Sequence, residues 1–75
     1  MEGGKTGQAL EEFRLALRLD PAGYQAHNNL GAALVRLGRT KEAVGEYQTA
    51  LKLKPDLACA WFNLGEALGE LGRYE

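Results

Sequence analysis

The chain has little of what most binding and catalytic sites need: one cysteine, one histidine and one tryptophan in 75 residues. A single cysteine closes no internal disulfide, so the fold does not depend on an oxidising compartment. His27 and Cys59 together make half of a zinc site at most, and neither has a third ligand or an activating base in view. An excess of one charge is missing as well, since nine basic residues are balanced by ten acidic ones. That balance gives no electrostatic reason to expect nucleic acid or an anionic membrane as a partner. No apolar run reaches membrane-spanning length, and the opening MEGGKTGQALEE lacks the regions of a signal peptide. These absences predict a soluble, cytoplasmic protein that is not an enzyme and carries no cofactor or metal.

What is present is repetition. NLGAALVRLGR (Asn29 to Arg39) returns as NLGEALGELGR (Asn63 to Arg73), 34 residues later, with eight of eleven residues identical. The same offset aligns GGKTGQALEEF (Gly3 to Phe13) with LGRTKEAVGEY (Leu37 to Tyr47), and LALRLDP (Leu15 to Pro21) with TALKLKP (Thr49 to Pro55). The whole chain is therefore periodic. Residues 24–57 form one complete unit, preceded by the second half of a unit (1–23) and followed by the first half of another (58–75). We expect such a segment to be part of a longer array.

Each unit holds two amphipathic helices, A and then B. Along A the apolar positions are Leu30, Leu34 and Leu37, or Trp61, Leu64, Leu68 and Leu71, a spacing that marks one helical face. Along B they are Ala43, Tyr47, Ala50 and Leu51, or Ala9, Phe13, Ala16 and Leu17. Gly38 and Gly72 are placed to end the A helices in a left-handed turn, and Pro21 and Pro55 to end the B helices. Gly31 and Gly65 fall inside helices, where glycine costs roughly 1 kcal/mol relative to alanine. A repeated cost of that kind implies that two helices approach too closely for a side chain, with Ala43 and Ala50 serving the same contact from B. The fold predicted is all-α, four helices in the order B-A-B-A, over 6–19, 24–37, 40–53 and 58–71.

These residues resemble the tetratricopeptide repeat (TPR), whose 34-residue signature runs W-x2-L-G-x2-Y, then A-x3-F, then P. Here the signature reads Trp61, Leu64, Gly65, Leu68 in one unit and His27, Leu30, Gly31, Leu34, Ala43, Tyr47, Pro55 in the other. Leucine stands for the usual tyrosine in both, and His27 for the usual tryptophan. The resemblance implies an α-solenoid whose A helices line a concave groove that holds a protein or extended peptide. It implies groove residues Gln25, Asn28, Asn29, Ala32 and Arg36 on the first A helix. On the second it implies Cys59, Phe62, Asn63, Glu66 and Glu70. Asn29 and Asn63 resemble the asparagine ladder of O-linked N-acetylglucosamine transferases and kinesin light chains, in which side-chain amides clamp a peptide backbone. The alternative for these asparagines is bonding within or between repeats.

Two further expectations follow from the residues. GGKT (Gly3 to Thr6) is similar to the end of a phosphate-binding loop but lacks the first glycine and the preceding strand, so an interhelical turn is expected there. The unpaired B helix at one end and unpaired A helix at the other predict self-association, which makes a self-assembling structural unit the alternative to a peptide-binding scaffold.

Overall fold

A computed structural model of the chain describes the backbone of residues 2–74 and the side chains of residues 7–72. Four helices follow one another: α1 (Glu2–Leu19), α2 (Tyr24–Arg36), α3 (Thr40–Leu53) and α4 (Ala58–Tyr74). The chain is thus an all-α helical-repeat solenoid in the predicted order, with α1 and α3 as B helices and α2 and α4 as A helices. α2 packs on both α1 and α3, α3 packs on α4, and α2 also touches α4.

Local chemistry explains the two kinds of turn. Between α2 and α3, Gly38 takes a left-handed φ of 79°. There its N–H donates to the Val35 carbonyl (2.9 Å), and the Arg39 N–H donates to the Leu34 carbonyl (2.8 Å). This pair of bonds is the Schellman arrangement, which satisfies carbonyls that the helix end would otherwise leave open. The B-to-A turns instead use proline. After α1, the Asp20 side chain accepts from the Ala22 N–H (3.2 Å), and the Gly23 N–H donates to the Asp20 carbonyl (3.0 Å). After α3, the Leu57 N–H donates to the Lys54 carbonyl at 3.1 Å, so the tight step is repeated one unit later.

Two expectations at the outer ends are corrected. Gly3 to Thr6 lie inside α1 rather than in a turn, and Gly72 lies inside α4 rather than ending it. Gly38 is the one glycine with positive φ among the described residues. The residue type is the same at 38 and 72, but only at 38 does a following helix fold back on the one before it. Without such packing, the backbone groups find their partners by continuing the helix.

The core shows why helical glycine is repeated. Ala43 and Ala50 are fully buried and Tyr47 is 2% exposed, all on the α3 face that meets α2. A Cβ on Gly31 would lie 2.6 Å from Cε1 and 2.8 Å from Cδ1 of Tyr47. The tyrosine ring therefore lies directly against the bare backbone of α2, and the contact depends on a side chain that is absent at Gly31 and small at Ala43 and Ala50. Gly65 holds the equivalent place on α4, yet a Cβ there would meet nothing within 4 Å. Around it Trp61 is 56% and Leu68 50% exposed, whereas Leu34, the equivalent of Leu68, is buried. On the other side of α4, Ala60, Leu64 and Ala67 are buried, as is Leu57 just before the helix. α4 thus has one finished face and one open one.

The difference between the two glycines is measurable. Gly31→Ala is expected to destabilise the fold by about 1–3 kcal/mol, because the buried ring has nowhere to retreat. Gly65→Ala is expected to be neutral or to stabilise by up to about 1 kcal/mol, the gain in helix propensity. Denaturant midpoints of the two variants check this, and equal midpoints would place Tyr47 elsewhere.

Candidate functional site

α2 and α4 are the two A helices, and their contact sets the predicted groove residues side by side. Gln25, Asn29, Ala32 and Arg36 on α2 are exposed, as are Cys59, Phe62 and Glu66 on α4. Asn63 and Glu70 are half-buried. Phe62 leaves two-thirds of its surface open.

Asn28 differs from its expected place as an open groove residue, because it is buried where α2 meets α4. Its carbonyl oxygen accepts a hydrogen bond from Asn63 Nδ2 at 3.1 Å. Its own Nδ2 donates to Cys59 Sγ at 3.5 Å. A buried amide must satisfy both ends, and this one does so across the repeat boundary. Asn63 is therefore partly committed to holding the two A helices together, while Asn29 is exposed. The two asparagines share a repeat position but not an environment.

A second feature recurs in the two units. The His27 Nε2 lies 3.1 Å from the Pro21 carbonyl oxygen, and Trp61 Nε1 donates to the Pro55 carbonyl oxygen at 2.8 Å. Each ring ties the first turn of an A helix to the proline turn before it. Histidine can replace tryptophan because both offer a ring N–H, and His27 adds a second contact, Nδ1 to Glu46 Oε1 at 2.9 Å. This tether was not read from the sequence, although the common offset of six residues from proline to ring was there to find. The Lys54 ammonium also sits 5.4 Å from the Tyr24 ring centroid, joining the end of α3 to the start of α2.

The electrostatics of the face are mildly acidic around Glu66 and Glu70. Burial first, and then these two carboxylates, push the Tyr47 phenol above its ordinary range. The fold thus favours the neutral phenol. Its contribution to stability is whole below the ordinary tyrosine range and is lost as pH rises through the raised value.

The described residues contain no group of three or more side chains able to hold a metal ion, and no helix long and apolar enough to cross a membrane. Two surface depressions lie away from the groove residues. One runs along α1 beside Glu11, Arg14, Leu15 and Arg18, and one lies at the α2–α3 turn with Leu71.

Stacked helix pairs with a close glycine seam define an α-helical-repeat protein. The TPR repeat family model matches residues 1–38 and again 33–72, and the chain belongs to that family. Its repeats generally mediate protein–protein interactions, and its members are typically non-enzymatic scaffolds. A search of curated proteins returned no match.

The unequal asparagines generate a prediction. Asn63→Ala removes a donor from the buried Asn28 carbonyl and is expected to cost about 1 kcal/mol. Asn29→Ala at the exposed site is expected to change stability by less than about 0.5 kcal/mol. Thermal melts of the two single variants check the ordering, and the reverse order would contradict the assignment.

Proposed function

We propose that the chain is a non-enzymatic scaffold module that binds a protein segment or extended peptide along the face shared by α2 and α4. The observation that carries this reading is the pairing of an exposed amide at Asn29 with an exposed aromatic ring at Phe62 on adjacent A helices. An amide offers one acceptor and two donors, enough to hold a peptide backbone in both directions. A ring offers apolar area to one ligand side chain, the usual form of an anchor. Asn63 belongs to the same clamp, because its bond to Asn28 uses one N–H and leaves its carbonyl and second N–H for a ligand. Gln25, Ala32, Arg36, Cys59, Glu66 and Glu70 complete the lining. A lone free thiol on this surface suits the cytoplasm, where thiols remain reduced.

A second reading, self-association, is favoured by a separate observation, the open face around Gly65 on α4. The two are compatible, since the groove face and the Gly65 face are different sides of α4.

Panning a random dodecapeptide display library against the chain tests the groove. Selected peptides are expected to lose at least about tenfold in affinity for Asn29→Ala and for Phe62→Ala, a change of about 1.4 kcal/mol or more. Melting temperatures should remain those of the parent. Selected peptides that bind both variants as well as the parent would remove the groove from the account.

A further inference from the structure

We propose that Glu66 and Glu70 select what binds on the face shared by α2 and α4, and that the ligand is an extended peptide segment with lysine or arginine at alternate positions. This choice of ligand rests on the peptide-binding reading above and adds the chemistry of the partner.

Two hydrogen bonds fix the register of the face. Asn28 donates to Cys59 Sγ at 3.5 Å and accepts from Asn63 Nδ2 at 3.1 Å, so it lies opposite the turn of α4 from Cys59 to Asn63. One turn further along both helices, Ala32 lies opposite the turn from Asn63 to Ala67, which holds Glu66. Another turn on, Arg36 lies opposite the turn from Ala67 to Leu71, which holds Glu70. Ala32 and Arg36 are exposed although α2 packs on α1, α3 and α4. These two places on an A helix thus stay open when it has neighbours on every side. Glu66 and Glu70 hold the same two places 34 residues on, the first exposed and the second half-buried.

The charge on the face is uneven. The ion pairs among the described residues, His27–Glu46, Arg39–Glu42 and Lys54–Asp56, use neither of these carboxylates and not Arg36. Two carboxylates four residues apart on a helix repel each other, so the pair costs the helix stability instead of adding to it. Arg36 places one cation across from Glu70. Across from Glu66 stands only the short side chain of Ala32, which leaves room for a long side chain from a ligand. The negative field reaches the helix seam, where burial first, then Glu66 and then Glu70 push the Tyr47 phenol up. A basic ligand relieves this repulsion, and an acidic one adds to it.

Spacing narrows the ligand further. Four residues of helix rise about 6 Å. One face of an extended peptide repeats every two residues, about 6.6–6.8 Å. Basic residues at i and i+2 of the ligand therefore match Glu66 and Glu70, while adjacent basic residues point to opposite sides.

Sequencing and affinity measurement of peptides selected from the random dodecapeptide library test this. They are expected to be enriched in pairs of lysine or arginine two residues apart. Their binding is expected to weaken at least about threefold for Glu66→Gln and at least about tenfold for Glu66→Lys, and to tighten for Arg36→Gln. Melting temperatures of these variants are expected to match the parent, since the sites are exposed. Replacing the basic pair of a peptide with glutamates is expected to abolish binding to the parent and to restore it to a Glu66→Lys, Glu70→Lys double variant. Selected peptides that lack basic pairs, or that bind Glu66→Lys as well as the parent, overturn the charge selection; if they still lose affinity for Asn29→Ala, the groove stands. Peptides indifferent to Asn29→Ala and Phe62→Ala, or a library that yields no binder, overturn the groove and the charge selection together.

Discussion

The structure depends on the contact between the Tyr47 ring and the bare backbone at Gly31. With no side chain on α2 and with alanines flanking the tyrosine on α3, the two helices close to a distance that ordinary side chains would forbid. Everything around the seam follows from that approach. Gly38 turns the chain tightly enough for α3 to fold straight back. His27 lies close enough to reach Glu46 across the pair. Glycine in a helix is unfavourable on its own, so at Gly31 the close contact with Tyr47 outweighs the propensity.

The same seam defines what is unfinished. A repeat unit cannot bury its faces alone and relies on neighbours to complete them. Among the described residues, α2 packs on both α1 and α3 and presents a buried stripe, while α4 packs mainly on α3 and leaves Trp61 and Leu68 half in water. Asn29 and Asn63 lie on a different side of the A helices from the Gly31 seam.

The period made most of the fold legible. Once Asn29–Arg39 is set against Asn63–Arg73, the helix order, the proline turns and the glycine seam follow from residue types at matched positions. The outer ends were not legible, because Gly72 carries the same local signal as Gly38, and among the described residues only Gly38 is followed by a helix packed back on the one before it. The contact between the two A helices was less legible than the fold. Asn28 pairs with Asn63, one residue off the period, and its own equivalent is Phe62, so no repeated pattern marks the bond. An asparagine has the same chemistry whether exposed or buried, and only the packing of α2 on α4 decides which of Asn28 and Asn29 is free. The ring-to-carbonyl tether was hidden differently, since His27 and Trp61 look unlike until their shared N–H is considered.

A double-mutant cycle between Gly31→Ala and Tyr47→Leu tests the seam most directly. Leucine lacks the distal ring atoms that a Cβ on residue 31 would strike, so the penalty of the alanine should fall away in the Tyr47→Leu background. The account predicts a coupling of at least about 1 kcal/mol between the two sites, read from denaturant midpoints. Equal penalties for Gly31→Ala in both backgrounds would contradict it.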